Sequence, residues 1–407
     1  MKQLLLILLL NPFLLVSALS PSLAPAKVCR VTDFVMRRRA PPGTPPFLHS
    51  PRHSASCNSL ILDKHERPTE AEMLAIFKTL PNTNIQALHM LGVPLSIDIV
   101  VHLSAFIANS KLKLLHLVDL DNLGDAGFMI LAESMRKNVH LETVILANMY
   151  HAIGTDSGHM FASLLRTHPT LNHIDFRGFK GGTNLINVIL AGLRNTNMKS
   201  ICLRQIGLNV TGLRAIARLL PISSLQHLDL SGNKLGDDGA RIVAQRILSR
   251  NSTLKELDLS GNDITDLGAG DIAVALENDE HLLHLMLTDN IGITEDGIVE
   301  FNEILIDPSI YGNQKLLTLA LTAPRNKHRK KFLNTLKDLQ YFLDRNLLLL
   351  SKNANGVNHK RKHWPHEGSV SGEAKRLIGI NGKNEFIGHR KERGRMREKN
   401  LGMAGEL

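Results

Sequence analysis

A histidine, an apolar residue and an aspartate occur in that order twice, at His173-Ile174-Asp175 and His227-Leu228-Asp229. Ser200-Ile201-Cys202 lies between them, and Glu256-Leu257-Asp258 follows. Imidazole and carboxylate groups can share a divalent cation or move protons, and a serine or cysteine beside them can act as a nucleophile. The pattern argues against that chemistry. Each pair alternates along one extended segment, and the segment between the two pairs carries Ser200 and Cys202 instead. No P-loop, zincin or nucleophile-elbow motif occurs. The cysteines Cys29, Cys57 and Cys202 are an odd, sparse set that predicts neither a disulfide framework nor a CxxC metal site. No catalytic residue, metal or cofactor is expected, and the chain is read as a binding protein rather than an enzyme.

These residues sit within a repeat. The frame apolar-x-x-apolar-x-apolar starts at Ile85, Leu112, Leu141, Leu171, Met198, Leu225, Leu254, Leu282 and Leu316. The starts are 27, 29, 30, 27, 27, 29, 28 and 34 residues apart, and all 27 framed positions are apolar in a chain that is 43% apolar. In a strand the framed side chains share one face, which must be the core. After each frame come helix signals, as in Asp125-Ala126-Gly127, Asp237-Asp238-Gly239 and Asp266-Leu267-Gly268, each leading into spaced aliphatic residues.

The segments Leu225-Gln-His-Leu-Asp-Leu-Ser-Gly-Asn233-Lys-Leu235 and Leu254-Lys-Glu-Leu-Asp-Leu-Ser-Gly-Asn262-Asp-Ile264 resemble leucine-rich repeats almost residue for residue, and Asn290 follows Leu287 in the same place. A period of about 28 resembles the ribonuclease-inhibitor-like class. The resemblance covers residues 85–321. It implies an α/β solenoid, or horseshoe, of about nine repeats, with parallel strands on the concave face and helices on the convex face. Aspartate before the third leucine is ordinary in that family. The asparagine position is filled by Val93, Leu120, Met149, Phe179 and Ile206 in five repeats, where a less regular turn is expected. The long unit after Leu282 needs an insertion near Pro308 to Asn313.

Solenoid ends need covers. Residues 68–84 are read as an N-terminal capping helix with Thr69 as its cap. Residues 324–351 are read as a C-terminal capping helix, with Phe332, Leu336, Leu339, Leu343, Leu347 and Leu350 on one face. A membrane-surface or partner helix is the other reading of that segment. The apolar run from Leu4 to Val16 reads as a signal peptide over 1–18. Residues 19–67 are basic and poor in acids, resembling the second part of the bipartite presequence of algae with secondary plastids; an ordinary linker reads equally well. The destination is the secretory pathway, ending in a plastid or outside the cell. Residues 352–407 hold 13 basic and 6 acidic residues and are expected to be a disordered tail.

The net charge of +10 conceals an acidic middle, with 19 basic and 27 acidic residues over 68–323. Outward strand positions there form two columns. The candidate partner-binding residues are His173, Asp175, His227, Asp229, Glu256, Asp258 and His284, an acidic strip suited to a protein with a basic surface. Other readings are a protein bound to nucleic acid or an anionic membrane through its basic tail, and a regulator of a small GTPase. A monomer is expected.

Overall fold

The computed structural model describes residues 57–120, 123–149, 154–180, 182–194, 197–305 and 315–322, with short pieces at 28–30, 35–36 and 47–48 and nine helical positions between 333 and 346. The signal segment, the insertion near Pro308 and the basic tail lie outside them. The chain divides into two compact units, residues 1–234 with 251–260, and residues 235–250 with 261–407.

In the first unit nine strands lie parallel and in chain order. They are β1 (Val28–Arg30), β2 (Ser59–Asp63), β3 (Ala87–Leu91), β4 (Leu114–Val118), β5 (Thr143–Ala147), β6 (His173–Asp175), β7 (Ser200–Cys202), β8 (His227–Asp229) and β9 (Glu256–Asp258). A helix follows each of β2 to β7: α1 (Glu70–Thr79), α2 (Ile97–Asn109), α3 (Gly124–Lys137), α4 (Thr155–Thr167), α5 (Gly182–Leu193) and α6 (Val210–Leu219). The second unit holds α7 (Gly236–Ile242), α8 (Asp266–Glu277), β10 (His284–Met286), α9 (Glu295–Leu305) and β11 (Thr318–Ala320), with β10 and β11 parallel. This is the α/β leucine-rich-repeat fold that the periodicity implies. Of the 27 framed residues, 26 are buried; Leu321 is half-buried.

Two expectations about the N-terminal part are corrected. Strands β1 and β2 lie within the stretch read as presequence or linker, and Cys57-x-x-Leu60-x-Leu62 is one more frame, its three apolar side chains buried. Its first position is a cysteine, which a search for aliphatic residues passes over. Helix α1, capped by Thr69 through a reciprocal box with Glu72, therefore connects two paired strands rather than ending the stack. In addition Cys29 and Cys57 are joined in a disulfide, their Cα atoms 5.9 Å apart. The parallel pairing of β1 with β2 brings them together, which cysteine counting does not reveal. At the other end Leu339, Phe342 and Leu343 are helical and buried, and Asn346 donates from its side chain to the Leu316 carbonyl at 2.9 Å. Phe332, Leu347 and Leu350 lie outside the described residues.

A repeat stack leaves turning backbone groups inside, where water cannot satisfy them. Three sets of side chains do so. Asn233 donates to the carbonyls of Leu203 and Leu230, both at 2.8 Å, and accepts from the amides of Ile206 and Leu208. Asn290 likewise accepts from Asn262 and Ile264 at 2.8 and 3.1 Å. Where the asparagine is missing, the turn is as regular as elsewhere. From Gly92 to Asp289 the second residue after each frame is left-handed, including Asp119, Asn148 and Gln205. Apolar side chains fill the vacated place, and Phe179 packs its ring 5.8 Å from both Phe128 and Phe176.

The second set begins each helix. Asp237 accepts from the amides of Thr265 and Gly268 in the next repeat, and Asp266 from those of Thr294 and Gly297. A Cβ at Gly268 or Gly297 would meet the incoming carboxylate oxygen at 2.5 Å, so a larger residue at either place would displace that carboxylate from its bonds. The third set closes three of the helix-to-strand links. Asn138, His168 and Asn251 each bond to a carbonyl of the preceding repeat while accepting from amides of their own turn.

Asn233→Ala removes two donors and one acceptor from buried backbone, and a loss of roughly 2–5 kcal/mol in denaturant unfolding is expected. Asn233→Asp, which keeps only the acceptor, should fall short of full rescue. Reduction of the Cys29–Cys57 bridge, which spans 28 residues, should cost about 3 kcal/mol if the chain is freed by its loss. Paired melts with and without reductant check this, using Cys57→Ser as the permanently reduced form.

Candidate functional site

Strand register in the first unit lines up two outward rows. Ala87, Leu114, Thr143, His173, Ser200, His227 and Glu256 form one, and His89, His116, Ile145, Asp175, Cys202, Asp229 and Asp258 the other. Six of the seven candidate residues thus share one face. His284 is in the second unit, where its Nδ1 lies 3.1 Å from the Thr318 hydroxyl.

The acidic strip differs from the open surface expected. His173, Asp175 and Asp229 are buried, at 5%, 0% and 2% exposure. The cause is local. Asp175, Asp229 and Asp258 each turn one carboxylate oxygen back onto the amide two residues later, at 2.8 Å, to Arg177, Ser231 and Ser260. Such Asx turns close the strand-to-turn corner. Asp175 is further covered by the Arg177 guanidinium, whose Nε donates to it at 2.8 Å. Asp229 accepts from the Cys202 thiol at 3.2 Å. These carboxylates shape the fold first. The groups of the strip that meet solvent are His227 and Glu256, with Nδ1 and Oε2 2.9 Å apart, and the half-buried Asp258.

Packing carboxylates side by side has an electrostatic cost. Burial pushes the Asp258 carboxyl up to about 6, with the charge of Asp229 adding to the effect. Asp229 is raised as well, chiefly by burial. Burial also holds the Cys202 thiol well above its ordinary range, with both aspartates reinforcing it, so this sulfur is protonated and unreactive at neutral pH. His173 is lowered to about 4 by burial. Among the described residues no group of three or more His, Cys, Asp or Glu could hold a metal ion.

Two strands over, the face changes character. His89 and His116 stand with their Nδ1 atoms 3.1 Å apart. Burial lowers both, His116 to about 4 with further help from His89, so the pair is neutral at pH 7. Around it Ile61, Leu91, Leu114, Val118 and Ile145 are half-buried aliphatic residues on these two strands and the ones flanking them. The sequence columns contain several of these residues, but a search for charge passes over them.

Because the folded-state value of Asp258 lies above that of a free carboxyl, the native chain holds more protons between pH 4 and 6, and its stability falls as pH rises through that window. Asp258→Asn keeps the acceptor for Ser260 and removes the charge. It should be more stable than the parent at pH 7 by about 1 kcal/mol, after discounting for partial exposure. The two should converge at pH 4. Urea midpoints at the two pH values check this.

Residues 222–242 and 250–273 match a family model described as Leucine Rich repeat. The chain is 26% identical over 195 residues to a ribonuclease inhibitor of Sus scrofa, covering 47% of this chain and 42% of the relative. It is 27% identical over 153 residues to the NACHT, LRR and PYD domains-containing protein 5 of Homo sapiens, covering 37% of this chain and 13% of that one. The matches therefore span less than half the length of these curated relatives. Among solved structures, a chain from the yeast Rad7 and Elc1 complex aligns over 69% of this chain and 75% of its own at 12% identity, with a TM-score of 0.41. Proteins of leucine-rich repeats generally mediate contacts between proteins. The frame, the strand-and-helix repeat and the asparagine turns agree with these matches: the chain folds as leucine-rich repeats and is similar to the ribonuclease-inhibitor-like class.

Proposed function

We propose that this protein is a non-enzymatic binding protein whose outward strand face in the first unit takes a protein partner. The observation that carries the reading is the division of labour among the acids. Asp175 and Asp229 are buried in their turns, while Glu256 and Asp258 remain half-exposed, Asp258 with one oxygen on its own turn, and Glu256 beside His227. A basic side chain from a partner would offset the repulsion from Asp229 that adds to the effect of burial on Asp258. The buried, protonated Cys202 supports a role without nucleophilic chemistry. One relative is named for inhibiting a ribonuclease, itself a protein, which favours a protein over a small molecule as partner. The Cys29–Cys57 bridge suits an oxidising compartment and so supports entry into the secretory pathway.

Capture with the full chain and with the Glu256→Lys/Asp258→Lys variant, in extract treated with nuclease, tests this. At least one protein should be retained by the parent and fall tenfold or more with the variant, provided both melt alike. An identical set of retained proteins, or none with the parent, would refute the reading.

A further inference from the structure

The outward face of the first unit carries two chemically different zones in one register. Over β2 to β5 it is aliphatic, with Ile61, Leu114, Val118 and Ile145 half-buried beside the neutral pair His89 and His116. Over β8 and β9 it is anionic, with Glu256 and Asp258 at the surface and Asp229 beneath them. Half-buried aliphatic residues on an outward strand face keep apolar area in water that a guest would remove. Beside the anionic zone, on β7, Ser200 is 2% exposed, set in register between His173 and His227, and has a hydroxyl without a hydrogen-bond partner.

From the row of His116 to the rows of Asp229 and Asp258 is four to five strand spacings, about 20–25 Å. We infer that this face selects a protein segment of two-part chemistry, with aliphatic or aromatic side chains at one end and arginine or lysine at the other. A helix of about 15 residues spans that distance. The two zones divide the work: the aliphatic zone contributes burial, and the anionic zone sets the direction in which the segment lies by charge complementarity. The inference rests on the reading of this face as the binding surface and adds what the partner must carry.

Selection of displayed random 20-residue peptides on the full chain tests it. Enriched peptides should combine a basic cluster with an apolar cluster separated by about four helical turns. Their affinity should fall tenfold or more with Leu114→Glu and, independently, with Glu256→Lys. Ile145→Gln, a milder change, should give a smaller loss, which guards against misfolding of Leu114→Glu. Enrichment of purely basic or purely apolar peptides, or indifference to the β4 and β5 variants, overturns the two-zone inference. If only Glu256→Lys matters there while the Glu256→Lys/Asp258→Lys variant loses its protein in the capture experiment, the face still binds protein and only this inference fails. Enrichment that emerges only after residues 352–407 are deleted also overturns it, since the face would then belong to the chain's own tail.

Discussion

The structure depends on satisfying backbone groups that a repeat stack carries into its interior. Each repeat turns twice, once after its strand and once before the next, and both corners are shielded from water. Asn233, Asn262 and Asn290 serve the first corner, and Asn138, His168 and Asn251 the second. The partners belong in most cases to the adjoining repeat, so no repeat is satisfied alone. Burial of aliphatic residues drives the stack together, while these hydrogen bonds set its spacing and register.

That constraint shapes the outward face. Strands held in register place like positions in rows, so a change of residue type along the chain becomes a change of surface chemistry along the sheet. It also explains why acids at the strand ends are poor guides to a surface. The aspartates of β6, β8 and β9 are bound to amides two residues on, and the first two have lost contact with solvent. The same geometry holds the Asn251 side chain inside, at 5% exposure and bonded to Leu220 and Leu254, so the Asn251-Ser-Thr253 sequon is closed to modification once the chain has folded.

Much of the fold was legible because a period of about 28 and a three-point apolar frame are strong signals, and the strands fall where the frame lies. What was illegible involved pairing across repeats. The carboxylates of Asp237 and Asp266 read as ordinary helix-start acids, whereas their partners lie one repeat further on. The β2 strand was missed because its frame begins with Cys57, and the disulfide because the pairing of β1 with β2 is a tertiary fact. The turns lacking asparagine looked irregular, since the sequence does not show that Phe179 and Met149 can occupy the same buried place. The candidate site was legible as a row of positions, and its split into buried and exposed acids was not.

Amide hydrogen exchange of the native protein tests the central claim most directly. Ile206 and Leu208, whose amides bond to the Asn233 side chain, and Ile264, whose amide bonds to Asn290, stand in turns that a surface-loop view would leave open. If side-chain ladders hold the stack, these amides exchange within about tenfold of the strand amides beside them, opening only with the surrounding repeats. Exchange at the rates of exposed loops, with the strands still protected, would contradict the account.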